Sequence, residues 1–166
     1  MSLADWLPEE AIRTQAHAAD WREAITLAGE CLVATGATIP AYTGEMIETV
    51  ERLGPYIVIA PGIALAHSRP SPAVQRTGIS WVTLADPVPF GHEENDPVRL
   101  VLGLAATDHD GHIGMMSQLA TTISDEALLA DLLAADSPAD LRQRMHAHHA
   151  PETTTELLNS TEGEHV

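Results

Sequence analysis

The chain has 166 residues, the size of one ordinary domain, and 45% of them are hydrophobic, enough for a packed core. Only 4% are aromatic, so that core is mostly aliphatic. With 24 acidic residues against 8 basic ones and a formal charge of −16, nucleic acid and anionic membrane are excluded as main partners, since both need basic surface, whereas a basic protein face fits.

Cys31 is the single cysteine, so no internal disulfide and no thiolate metal cluster can form, and a reducing compartment is the natural home. The start, "MSLADWLPEE", has no basic region leading into an apolar one, so no signal peptide is read there. No stretch approaches the roughly 18–20 apolar residues that span a bilayer. A soluble, cytoplasmic protein is the expectation.

In chain order, "AIRTQAHAA" alternates, with Ile12, Thr14 and Ala16 on one side and Arg13, Gln15 and His17 on the other, which predicts a short strand. Asp20 with Glu23 three residues on is a capping-box pattern. Trp21, Ala24, Ile25, Ala28 and Leu32 then follow at helical spacing until Gly36. Pro40 to Leu53 predicts a second helix with Met46, Ile47, Val50 and Leu53 as its apolar stripe and Gly54 as its stop. "YIVIA", apolar on both parities, reads as a buried central strand. Further strands are expected at Ile79–Leu84, closed by Pro87 and Pro89, and at Val98–Ala105.

From His112 to Ile123 a helix is expected with Ile113, Met116, Leu119, Ala120 and Ile123 in register. Ser124, Asp125 and Glu126 open the next, which runs through Ala135, and Ser137-Pro138 with Asp140 opens the last. The organisation is one domain over residues 1–149 and a polar, aperiodic tail over 150–166, expected to be disordered. The class is α/β or α+β, with strands near the middle and helices around them.

Nine histidines carry the candidate chemistry. His146, His148, His149 and His165 lie in or near the acidic tail and read as solvated surface; "HAHH" offers no dedicated metal geometry. His17 lies on the polar parity of its strand and reads as exposed. His67, His92, His109 and His112 each fall at the end of an apolar strand or in the turn after it, where α/β sheets place their chemistry.

Two readings of these four compete. In one, His67 is a nucleophile, since the imidazole of histidine is largely neutral near pH 7, and a second histidine steadies the charge of an attached group. In the other, His92, His109 and His112 hold a metal with Asp108, Asp110 or Glu93. The chain has no Gly-x-Ser-x-Gly elbow, no Walker loop and no Gly-x-Gly-x-x-Gly cradle, so phosphate chemistry here needs a phosphoryl group delivered by a partner, with no bound nucleotide or other cofactor.

"GPYIVIAPGIALAHSRP", followed by "GISWVTLADPVPFGHEENDPVRLVLGLAATDHDGHIGMMSQLA", resembles the enzyme IIA proteins of the bacterial sugar phosphotransferase system (PTS), mannitol–fructose class, and within it the ascorbate type. The likeness covers roughly residues 3–145. It implies a mixed β-sheet flanked by helices on both sides. It also implies that His67 accepts phosphate from the phosphorylated histidine carrier protein HPr and passes it to a cysteine of a cognate IIB component, which serves a IIC permease. His112 corresponds to the family's second active-site histidine, beside the phosphoryl group. Where related sequences place Pro before the nucleophile and Ala or Gly after it, this chain has Ala66 and Ser68. Arg52 and Arg69 are the candidates for the arginine of the mannitol-type pocket, and Ser68, Arg69 and His92 are supporting candidates.

Three alternatives stay open at this level: a regulatory IIA paralogue that signals through His67 phosphorylation, a metal-dependent hydrolase built on His92, His109 and His112, and a binding module without catalysis. The sugar and the oligomeric state, homo-oligomer or monomer, are not encoded in these motifs.

Overall fold

The computed structural model describes residues 2–108 and 113–148. Five strands, β1 (Ile12–Ala16), β2 (Val58–Ala60), β3 (Ile63–Ala66), β4 (Gly78–Val88) and β5 (Val98–Ala105), form one sheet in the order β1-β4-β5-β3-β2. The sheet is mixed: β1 runs parallel to β4 and β3 parallel to β5, while β4 lies antiparallel to β5 and β2 to β3. Six helices surround it: α1 (Leu3–Trp6), α2 (Trp21–Ala34), α3 (Ala41–Leu53), α4 (Ile113–Ser124), α5 (Glu126–Leu133) and α6 over 138–148. None of the described helices is long and apolar enough to cross a membrane.

Strand parity splits the core into two layers. Ala64, Ala66, Val82, Leu84, Val101 and Ala105 point to α2 and α3. Ile63, Leu65, Ile79, Trp81, Leu100, Leu102 and Leu104 point to the other face, against Leu3 and Leu7, Met115 and Leu119 of α4, Leu132 of α5 and Leu141 and Met145 of α6. The expected mixed sheet with helices on both sides is the architecture found.

Local signals set most boundaries. The Asp20 carboxylate accepts the Glu23 amide at 2.9 Å and starts α2, and the Ser137 hydroxyl does the same for Asp140 at 3.0 Å. Gly54 ends α3 at φ +89°, a left-handed conformation that side chains resist. The α2–α3 crossing is close because residue 29 is glycine: a Cβ there would lie 2.1 Å from Thr43 Oγ1.

Four expectations need correction. Leu53, expected in the apolar stripe of α3, is exposed. "YIVIA" is not a central strand; β2 is a three-residue edge strand with Ile59 and Tyr56 exposed, and the buried apolar run is "IALA" of β3. β4 does not close at Leu84 but continues through Pro87. Its pairing with β5 is interrupted between Thr83 and Val88, so the missing proline N–H breaks no rung there. The buried face of α4 is Met115, Leu119 and Thr122, with Met116 and Ile123 flanking it and Ile113 and Ala120 exposed.

Candidate active site

β3 and β5 are parallel, so their C-terminal ends meet at one edge of the sheet. His67 is the first residue past β3, and Ala106 to Asp108 continue from β5. Between them opens a cleft of about 260 Å³. Arg52, Leu53 and Tyr56, from the end of α3 and the turn after it, form one wall; His67 to Pro70 form another, and Leu104, Ala106 and Asp108 complete it.

His67 is held in one orientation. Its Nδ1 lies 2.7 Å from the carbonyl oxygen of Leu65. A carbonyl only accepts, so the proton sits on Nδ1 and the lone pair on Nε2. The Tyr56 ring meets the imidazole edge-on, with centroids 5.7 Å apart and planes at 84°. A half-buried imidazole with a fixed tautomer is a nucleophile whose free nitrogen is chosen in advance.

Ser68 is committed elsewhere. Its amide donates to the Tyr42 hydroxyl at 3.0 Å. Its hydroxyl lies 3.1 Å from Thr49 Oγ1, which already donates to the Glu45 carbonyl at 2.8 Å, so the serine donates and the threonine accepts. Both Ser68 donors are thus spent inside the protein, and Ser68 cannot supply the hydroxyl or amide that its position next to His67 suggests. The cationic groups remain. Arg52 and Arg69 line the cleft, both are exposed, and among the described residues neither has a hydrogen-bond or ion-pair partner. They can present a doubly charged phosphoryl group with planar, multiply donating cations.

His92 does not reach this cleft. It sits in the loop between β4 and β5, where its Nδ1 accepts the amides of Glu94 and Asn95 at 3.2 and 3.1 Å. His109 and His112 lie outside the described residues, as do His149, His165 and the tail. His17 is exposed, as read from its parity. His148, expected as plain surface, bonds Asp131 at 2.9 Å beside Arg144. Among the described residues no three His, Cys, Asp or Glu side chains are grouped as a metal site.

Tyr42, Thr49 and Tyr56 were not singled out from the sequence. Tyr42 and Thr49 share the inward face of α3 with Met46 and Val50, and a hydroxylated aromatic one turn before an apolar stripe was the available signal.

Comparisons with known proteins place the chain in a family. Residues 5–147 match the model of the phosphoenolpyruvate-dependent sugar phosphotransferase system EIIA 2 family. The chain belongs to that family. EIIA proteins of this system are phosphotransferases. The ascorbate-specific PTS system EIIA component of Salmonella choleraesuis (strain SC-B67) is 42% identical over 153 residues, covering 89% of this chain and 99% of the relative. The mannitol-specific cryptic phosphotransferase enzyme IIA of Escherichia coli is 33% identical with a TM-score of 0.77, covering 87% of this chain and 98% of that one. Enzyme IIA of the mannitol system, solved in complex with phosphorylated enzyme IIB from Escherichia coli, is 31% identical with a TM-score of 0.73, covering 85% of this chain and 97% of that one.

Proposed function

We propose that this EIIA protein carries phosphate on Nε2 of His67, taking it from phospho-HPr and giving it to a cysteine of a cognate IIB component in an ascorbate-type uptake system of the cytoplasm. The observation that carries the reading is the 2.7 Å bond from His67 Nδ1 to the Leu65 carbonyl, which leaves Nε2 as the basic nitrogen of that ring, on a residue that lines the cleft. The Nε2 lone pair attacks phosphorus in line, the N–P bond to the HPr histidine breaks, and its electron pair returns to that imidazole. No proton has to move. The ring of His67 is then an imidazolium, and the Leu65 carbonyl stabilises its N–H.

Positioning and charge neutralisation do most of the work in phosphoryl transfer. Arg52 and Arg69 are assigned the neutralising role, with His112 beside the phosphoryl group as in the family. The relatives named ascorbate-specific support the substrate, and the IIA–IIB complex of the mannitol system supports the recipient. A net charge of −16 favours encounter with a basic face on HPr, an attraction that weakens with salt.

The test is to incubate the protein with phosphoenolpyruvate, its upstream kinase and HPr, and to map the acid-labile phosphate. Label on the wild type and none on His67→Ala is expected; equal label on both overturns the assignment. His112→Ala should slow onward transfer with the fold intact, and an unchanged rate would remove it from the site.

A further inference from the structure

Phosphoryl transfer to His67 leaves the buried hydroxyl of Tyr42 without an assigned task. Tyr42 is 1% exposed, and its phenol oxygen lies at a polar junction inside an otherwise apolar layer. The oxygen accepts the Ser68 amide at 3.0 Å and lies 2.8 Å from the Leu104 carbonyl and 3.3 Å from that of Ser68. One proton serves one good acceptor, and the shorter contact takes it.

The position of this junction matters more than its bonds. The parallel ladder of β3 and β5 ends at the pair Ala66 and Gly103. Leu104 is the next residue of β5, and the Ser68 nitrogen belongs to the peptide that directly follows His67. The Ser68 amide therefore reaches the Leu104 carbonyl through the phenol oxygen, in place of a further direct rung. Beyond this point the two chains line the cleft.

His67 is thus pinned on both sides: upstream by its ring nitrogen on Leu65 and downstream by its peptide on Tyr42. We infer that Tyr42 is a positioning residue for the transfer, its hydroxyl holding the His67–Ser68 peptide so that Nε2 keeps its line into the cleft. The inference rests on His67 being the phosphoryl carrier. Tyr42 is too deep to touch phosphate or a docked protein, so it acts through orientation alone. Misplacement of a reacting group by about 1 Å can cost about a hundredfold in rate.

Tyr42→Phe keeps the ring and removes only the hydroxyl. Its kcat for transfer from phospho-HPr should fall at least about tenfold, while KM for phospho-HPr stays within about twofold, because the docking surface is untouched. The ring ¹⁵N shifts of His67 should move from the Nδ1-protonated tautomer toward a mixture. Ser80→Ala is the control: it removes another buried hydroxyl-to-carbonyl bond, Ser80 to Ala28 at 2.8 Å, in the same core layer away from the cleft, and should keep kcat. A folded Tyr42→Phe with wild-type kcat and ring shifts, while His67→Ala is inactive, overturns this inference alone. An equal loss in Ser80→Ala overturns it as mere destabilisation. Label on His67→Ala equal to wild type overturns the parent reading and this one with it. Should Tyr42→Phe not fold, amide exchange in the wild type decides: Ser68 protection of at least about a hundredfold supports the bridge, and exchange at the unstructured rate overturns it.

Discussion

Gly103→Ala tests the packing that brings β5 against the end of β3. Gly103 pairs with Ser80 on one side and with Ala66, the residue before His67, on the other. A Cβ at this position would lie 2.4 Å from Ser80 Oγ and 3.3 Å from both Ala28 Cβ and Leu32 Cδ1. The serine oxygen cannot turn away freely, because it donates to the Ala28 carbonyl at 2.8 Å. Overpacking of this kind costs about 1–3 kcal/mol, and a broken buried hydrogen bond about 1 kcal/mol more. Loss of glycine's freedom in the unfolded chain returns about 0.5–1 kcal/mol. The net is about 1–3.5 kcal/mol, and at about 2–4 °C per kcal/mol for a chain of this size the Tm should drop by about 2–14 °C.

Ser80→Ala alone should cost about 1 kcal/mol. The double variant should then cost less than the two singles together by about 1–2 kcal/mol, because the added methyl now occupies the space the hydroxyl left. Urea titrations of the four proteins followed by circular dichroism measure this cycle. Strict additivity would refute the contact and, with it, the account of why residue 103 is glycine.

Arg52→Gln and Arg69→Gln should each slow phosphoryl transfer about tenfold or more by removing a cation from the developing charge, as quench-flow with labelled phospho-HPr can show; unchanged rates would leave both guanidiniums in solvent. Burial first, against a weaker opposing bond from the Ser68 amide, pushes the Tyr42 phenol from its ordinary 10 up to about 12. The unfolded chain therefore loses this proton first as pH rises. Stability is whole below about pH 10 and falls by about 2–3 kcal/mol between 10 and 12. In Tyr56→Phe, where Tyr42 is the sole tyrosine, tyrosinate absorbance should rise near pH 12; a midpoint near 10 would contradict the buried junction. Cys31 is 1% exposed and burial raises its thiol pKa, so iodoacetamide should label it only as fast as the chain unfolds, and rapid labelling of the native protein by mass spectrometry would refute that.

What the sequence could and could not reveal follows from the range of each interaction. Asp20, Gly54 and Ser137 act on residues three or four away, and α2, α3 and α6 start or stop where these residues are found. β5 has the bounds read from its apolar run. Edge against centre is a different matter. "YIVIA" carries the composition of a central strand, but which strands flank it depends on the whole topology, and Ile59 is left exposed. The α4 stripe was misplaced for the same reason, since several apolar faces fit one helix and the sheet selects among them. The site divides in the same way. His67 was visible as a histidine ending an apolar run, and its ring nitrogen bonds only two residues back. The partners of Ser68 lie 19 and 26 residues away on α3, where no local pattern points.

Strand direction also sorts histidines that spacing could not. His67 and His92 both follow apolar segments, and both belong to blocks that resemble the family. β3 and β5 run the same way, so His67 and Ala106–Asp108 leave the sheet at one edge. β4 runs opposite to β5, with Gly78 beside Ala105 and Val88 beside Val98, so the loop carrying His92 feeds the other end of β5. There it packs at the start of β3, where the Gly62 amide donates to the Asn95 carbonyl at 2.9 Å. The loop's polar groups answer one another: Asp96 accepts the amides of Phe90, Gly91 and His92, and the His92 ring accepts those of Glu94 and Asn95. A ring nitrogen that already accepts two backbone amides is not available to a phosphoryl group, and none of these residues borders the cleft. The block "FGHEENDPV" thus shapes the turn that starts β5, and β5 in turn places Leu104 and Ala106 opposite His67.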